Sequence, residues 1–260
     1  MARYGYVIDL ERCLGCYACV EACKVENNTP RSVFWMYVFR VEVGNYPNVR
    51  WQFAPRPCMH CDNAPCVKVC PVGARYKRND GFVLTNFNTC IGCRYCEVAC
   101  PYSVNYFNWK KPTENQYFDW QNGEGDGVYG NGSIRAHIGN AIPPYRNPDH
   151  EKLYGPEKRL VAGGSHYLGT MGKCTWCVHR VEKGLLPACV ANCPVNTLHF
   201  GDLDDPKSDV SRLLRQRQSF RLLEELGTEP RVYYLGFPPP VENARPLGIK
   251  PAKVVAGQVR

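Results

Sequence analysis

The chain has no run of about 18 apolar residues, so it is not expected to contain a membrane-spanning helix. The nearest stretch, Gly184 to Gly201, is uncharged, but two cysteines, two prolines and His199 interrupt it. Residues Met1 to Asp9 show no basic segment followed by an apolar one, and no twin arginine, so no export signal is expected there. No Ser–His–Asp set, glycine-rich phosphate loop or paired-carboxylate motif stands out, so no catalytic site of its own is expected. No cysteine is left over either. All 16 fall into four groups of four. In a secreted chain that richness means disulfides; without a visible export signal it points to metal.

The central group is Cys90, Cys93, Cys96 and Cys100, followed by Pro101, in the spacing C-x2-C-x2-C-x3-C-P. Three thiolates within seven residues can wrap one face of an iron–sulfur cubane. The fourth sits where a short helix turns away, which places it to ligate a different cluster. Cys13, Cys16, Cys19 and Cys23 repeat the spacing, with Lys24 in place of the proline. Cys58, Cys61, Cys66 and Cys70 have a longer middle gap, and Cys174, Cys177, Cys189 and Cys193 a much longer one; Pro71 and Pro194 follow. This is the arithmetic of four Cys₄ sites, expected to hold four [4Fe–4S] clusters.

The net charge of +8 invites a nucleic-acid reading, but it counts every cysteine as neutral. Each [4Fe–4S]²⁺ core with four thiolates carries about −2, so four of them supply about −8 and leave the loaded chain near neutrality. The basic surplus reads as compensation for buried cluster charge.

In chain order, Tyr4 to Asp9 reads as a strand, Cys19 to Glu26 as a short helix, and Val33 to Val43 with Asn48 to Phe53 as a hairpin. Ala64 to Cys70 reads as a second short helix. Ala74 to Thr85 reads as a hairpin turning at Asp80-Gly81. Ser208 to Leu226 reads as one helix stopped by Gly227, and Arg231 to Leu235 as a last strand. The fold class expected is α+β: two ferredoxin-like units in a pseudo-twofold relation, with short strands and helices around the clusters. The first unit takes residues 1–57 and 172–205, and the second 58–109. A long irregular insertion, 110–171, is rich in Gly, Asn, Pro and Tyr. Its aromatics (Tyr117, Phe118, Trp120, Tyr129, Tyr145, Tyr154, Tyr167) argue for packing along the protein or a partner. Residues 206–237 supply a C-terminal helix and strand, and 238–260 an extended tail.

These motifs resemble the electron-transfer subunit of the complex iron–sulfur molybdoenzymes, the family of the dimethyl sulfoxide, polysulfide, thiosulfate, tetrathionate and arsenate reductases, sulfite dehydrogenases and some formate dehydrogenases. Carrying the likeness are the four groups in this order, the stretch Lys173 to Pro194 with Arg180, Gly184 and Pro187-Ala188, Val7-Ile8-Asp9, and Val232 to Leu235. The resemblance covers roughly residues 4 to 109 and 172 to 236. It implies crossed ligand sets: Cys13, Cys16, Cys19 with Cys193; Cys174, Cys177, Cys189 with Cys23; Cys58, Cys61, Cys66 with Cys100; and Cys90, Cys93, Cys96 with Cys70. Some members replace one cysteine of the third group with tryptophan; Cys93 stands here, so no [3Fe–4S] cluster is expected. The resemblance further implies a molybdopterin (molybdenum or tungsten) catalytic subunit on one side and a multi-span, quinone-reactive membrane subunit on the other. The chain would then sit peripherally on the membrane through that partner. The side stays open, because related catalytic subunits often carry a twin-arginine signal and take this subunit across folded.

Two other readings compete. A soluble polyferredoxin serving a hydrogenase or another dehydrogenase would use the same clusters. A zinc protein would use four Cys₄ sites, but C-x2-C-x2-C fits zinc poorly. Among single residues, His60 reads as a neighbour of a cluster rather than a ligand, since every site already has four thiols. Trp176 reads as a shield against water. Lys24, Arg94 and Arg180 flank cysteines and are either solvated or potential-raising charges. The aromatic–basic stretch Tyr102 to Lys111 reads as partner surface or core strand rather than a nucleic-acid platform.

Overall fold

The computed structural model describes residues 2–29, 33–109, 152–161 and 167–236, together with the backbone pair 245–246. Strand β1 (Tyr4–Asp9) is the centre of the largest sheet. It pairs antiparallel with β8 (Leu198–Asp202) and parallel with β10 (Val232–Leu235); β9 (Ser219–Phe220) adds the far edge. Both faces of β1 are covered, which is why its middle residues are fully buried. Tyr6 and Ile8 join the main core among the cysteines, while Val7 faces Val210 and Leu235. Helix α6 (Asp209–Gln216) supplies Val210 from that second side. Its N-terminus is capped by Ser208, whose side chain accepts from the Ser211 amide at 3.2 Å.

The remaining elements are short and surround the thiols. Helix α1 (Ala18–Asn27) packs against α5 (Ala188–Ala191). Strands β2 (Tyr37–Val43) and β3 (Arg50–Arg56) form a hairpin. The backbone of β11 (Arg245–Pro246) extends its sheet; the rest of the expected tail lies outside the described residues. Helix α2 (Pro65–Lys68) leads to the hairpin of β4 (Arg75–Lys77) and β5 (Val83–Thr85). Helix α3 (Tyr95–Val98) leads to β6 (Asn105–Phe107), and β6 pairs with β7 (Met171–Lys173). Helix α4 (Val178–Val181) follows. These are mixed helices and small sheets, the α+β class.

Two expectations change. The helix over 208–226 ends at Gln216. Arg217 turns extended there, and its guanidinium reaches Asp9 and Glu11. The chain beyond it lays Phe220 flat on Tyr234, with centroids 5.5 Å apart, and then forms a 3₁₀ turn at Glu224–Leu226. Two carboxylates and a ring stack outweigh the helical periodicity. The boundary drawn at residue 172 falls inside β7, which belongs to a sheet with β6. Of the long insertion, residues 110–151 and 162–166 lie outside the described residues. The described part packs on this chain: Phe87 donates its amide to the Leu160 carbonyl, and the Arg159 guanidinium lies 4.0 Å from the Tyr76 ring centre. Among the described residues, no helix is long and apolar enough to cross a membrane.

Candidate metal centres

The cysteine loops are built to one backbone recipe. In Cys13-Leu-Gly15-Cys16 and in Cys90-Ile-Gly92-Cys93, both glycines have φ +67°. A side chain at Gly15 would strike the Phe53 ring, and one at Gly92 the Gly169 carbonyl oxygen, so glycine is required twice over. Tyr17 and Arg94, which follow, share φ 62° and cap the next helices. This left-handed step turns the chain so that the first three thiols of each of these runs line one cavity.

The thiols gather into four sets. One cavity is lined by Cys13, Cys16, Cys19 and Cys193. A second is lined by Cys58, Cys61, Cys66 and Cys100, and a third by Cys70, Cys90, Cys93 and Cys96. The fourth set is wholly buried. The Cys23 thiol is pushed well up, first by burial and then by its neighbours Cys174, Cys177 and Cys189. Asn27 ties this set together, its amide donating to the sulfurs of Cys23 (3.6 Å) and Cys177 (3.8 Å).

The donor chemistry fits iron–sulfur clusters. Every cysteine is a free thiol. Burial pushes Cys19 and Cys61 up to about 12, and Cys66 and Cys174 to about 11. Such thiols give up their protons at neutral pH only to a metal. Donors already surround the sulfurs: the amides of Arg75 on Cys70 (3.3 Å), Met171 on Cys90 (3.4 Å) and Thr197 on Cys193 (3.3 Å), with the Tyr6 hydroxyl 3.3 Å from Cys189. Hydrogen bonds to sulfur tune cluster potential. A tetrahedral zinc site, with bonds of about 2.3 Å, draws its ligands around one point. Among the described residues no group of three or more His, Cys, Asp or Glu is drawn together in that way.

Two of the sets include an exposed thiol and two do not. Cys16 and Cys93 are exposed, beside the exposed Leu14 and Ile91. The two buried sets meet at one junction. His60 lies between Cys58 and Cys61, and Trp176 between Cys174 and Cys177, both with positive φ. Their rings stack at 4.0 Å between centroids. The Trp176 indole donates to the Cys58 carbonyl at 2.9 Å, and His60 Nε2 donates to the Cys174 carbonyl at 2.9 Å. His60 Nδ1 accepts from the Val83 amide at 2.9 Å, which fixes the proton on Nε2. Burial and the nearby Lys173 ammonium push the imidazole well below its usual range, so it stays neutral. Trp176 is fully buried. The sequence picked out both residues but not their partnership, since 115 intervening positions hide it.

Of the flanking cations, one is buried and two are partly exposed and paired with carboxylates. Lys24 is buried and donates to the Val33 carbonyl at 2.9 Å, with its ammonium 4.4 Å from the Phe34 ring centre. Arg94 pairs with Glu97 at 2.8 Å, and Arg180 with Glu26 at 3.1 Å. Sequence reasoning missed Arg75. It is buried at 2 % exposure, and its Nη2 donates to the Cys96 sulfur at 3.3 Å. Its place at the start of β4, five residues after Cys70, was the one available signal. In the described part of the stretch Tyr102 to Lys111, two aromatics turn inward, Tyr102 bonding Thr228 at 2.6 Å and Tyr106 donating to the Phe34 carbonyl at 2.7 Å, while Trp109 is exposed.

Comparison with known proteins agrees with this chemistry. Residues 49–116 and 164–203 match one family described as a 4Fe-4S dicluster domain, and residues 12–74 match another of the same description. The chain is 42% identical over 238 residues to the arsenate respiratory reductase iron-sulfur subunit of Shewanella sp. (strain ANA-3), covering 90% of this chain and 96% of the relative. It is 41% identical over 230 residues to a selenate reductase subunit from Mesobacillus selenatarsenatis, covering 88% and 70%. It is 32% identical to the iron-sulfur cluster-binding subunit of menaquinone reductase from Nitratidesulfovibrio vulgaris, covering 90% and 88%.

Proposed function

Because this chain belongs to the iron–sulfur electron-transfer subunits of the complex iron–sulfur molybdoenzymes, we propose that it conducts single electrons through four [4Fe–4S] clusters between a molybdopterin-bearing catalytic subunit and a quinone-reactive membrane subunit. Each cluster, when bound, takes up and gives back one electron. The residues of this chain hold the clusters, exclude water and set their order.

The proposed ligand sets are Cys13, Cys16, Cys19 and Cys193; Cys23, Cys174, Cys177 and Cys189; Cys58, Cys61, Cys66 and Cys100; and Cys70, Cys90, Cys93 and Cys96. The observation that carries this reading is the cavity where Cys193 joins the first three cysteines of the chain, 174 positions away from Cys19. Two ferredoxin-like units follow, related by a pseudo-twofold that exchanges His60 with Trp176. Their reciprocal hydrogen bonds support it. The path runs from one surface-reaching site, through the two buried sites that meet at the His60–Trp176 stack, to the other. The exposure of Cys16 and Cys93 supports those as the ends. With no membrane-crossing helix among the described residues, attachment to the membrane falls to the partner.

Anaerobically purified chain should hold about 16 iron and 16 sulfide, four of each per cluster. Redox-titrated paramagnetic resonance of Cys193→Ser should show the signal altered in Cys13→Ser shifted, and the signal altered in Cys174→Ser intact. The opposite pattern means that each run binds its own cluster and sinks the crossed sets.

A further inference from the structure

A guanidinium buried at 2 % exposure needs a counter-charge, and Arg75 has no carboxylate for one among the described residues. Its Nη2 reaches the Cys96 sulfur, while Nε and Nη1 have no hydrogen-bond partner among those residues. Its backbone amide donates to the Cys70 sulfur. Thus one residue contacts two thiols of the Cys70, Cys90, Cys93 and Cys96 set, whose cavity it lines. The neighbouring set acts on it as well: Cys66 and Cys58 join Cys96 in holding the guanidinium charged against burial. Among the described residues the hydrogen-bond donors on the other sulfurs are neutral, namely backbone amides, hydroxyls and the Asn27 amide, while the Lys173 ammonium acts on Cys66 and Cys174 through space. Neutral thiols would leave Arg75 uncompensated. Thiolates around a cluster of net charge about −2 supply what it lacks.

We infer that Arg75 is a fixed positive charge shared by the two middle sites, raising the reduction potential of the cluster on Cys70, Cys90, Cys93 and Cys96 and, more weakly, that of its neighbour on Cys58, Cys61, Cys66 and Cys100. Reduction adds one negative charge to a cluster. A cation in contact with its ligand sulfur, screened from water, stabilises the more negative state. The guanidinium does not titrate in the accessible range, so the effect is constant with pH.

This inference rests on the ligand sets proposed above, and the experiment separates the two. The full chain is loaded with iron and titrated by paramagnetic resonance as wild type, Arg75→Met, Arg75→Gln and Arg75→Lys. Iron and sulfide are counted in each, and Cys93→Ser and Cys70→Ser mark the signal concerned. If those two cysteine variants alter different signals, the ligand sets fail whatever Arg75 does. If they alter the same signal, the expected result is full iron content in the neutral variants with the reduction equilibrium of that signal weakened about tenfold, which is about 59 mV for one electron. A smaller shift in the same direction is expected for the signal marked by Cys61→Ser. Arg75→Lys should recover most of the loss. An unmoved potential in the loaded neutral variants overturns the inference. So does a shift in Arg75→Lys as large as in Arg75→Met, which would mean contact geometry rather than charge. If neither neutral variant holds iron while Arg75→Lys does, the residue is structural and the inference is likewise overturned.

Discussion

The two pairs of thiol sets are built on the same loops but closed and charged differently. The middle pair draws on residues 58 to 100, and the β4–β5 hairpin joins its two runs locally. The other pair is assembled from the two ends of the described chain, where α1 meets α5 and β1 lies between β8 and β10. The left-handed steps match to within a degree: φ 62° at Tyr17 and at Arg94, and φ +67° at Gly15 and at Gly92. Yet five residues after Cys70 stands Arg75, and four after Cys193 stands Thr197, each giving its amide to the thiol behind it. Geometry is repeated while charge is varied. A duplicated cradle can thus hold one kind of cluster at two levels of electron affinity.

The comparison breaks most visibly on removing iron. Chelation should erase hydrogen-exchange protection in α1 and α5, whose packing joins distant segments, while the local β4–β5 hairpin retains part of its own. Equal loss in the two would show that sequence distance between ligands does not govern stability. Next in size is Trp176→Ala, which empties the stack between the buried sets. A cost of about 3–5 kcal/mol is expected, read from the denaturant midpoint at which the loaded chain loses its visible absorbance. Trp176→Phe keeps the ring but leaves the Cys58 carbonyl without its donor, and should cost about 1 kcal/mol on the same assay.

The ion pairs of Asp62 come next in size. Asp62 accepts from Arg231 at 2.6 Å and from Lys77 at 2.6 Å, tying the residue before β10 and the end of β4 to the loop after Cys61. Burial works to raise its carboxyl, but the Lys77 and Arg231 hydrogen bonds and charges outweigh that and hold it below its ordinary range. A carboxylate held down contributes stability above its unfolded value, and loses it as pH falls through the folded one. Asp62→Asn should therefore cost about 1–3 kcal/mol at neutral pH. The difference from wild type should narrow progressively as pH falls through and below the ordinary carboxylate range. A difference that is constant down to pH 2 would remove the charge from the explanation. The smallest effect sharpens the contrast with Arg75. Arg94→Gln removes a half-exposed guanidinium already neutralised by Glu97, and should change the reduction equilibrium of the adjacent cluster by less than about twofold.

Much of the local structure was legible in the chain itself. The strand at Tyr4–Asp9, the helix over Ala18–Asn27 and the hairpin turning at Asp80-Gly81 all follow from periodicity and turn chemistry. The helix at Ser208 was legible at its start, because a cap is a local device. It was illegible at its end, because what stops it is Asp9, some two hundred positions earlier.

The cysteine spacing by itself determined that this is an iron–sulfur protein, since the distance between successive thiols along a short loop decides which faces of a cluster they can reach. It also determined that no thiol would be spare. Which buried sites touch, which two open to the surface, and which charge stands among the sulfurs were decided by tertiary structure alone. Those properties depend on burial and on contacts between residues such as His60 and Trp176, or Arg75 and Cys96. A sequence records the charge of an arginine but not the water around it. The effect of that charge on an electron is set by whether the water is there.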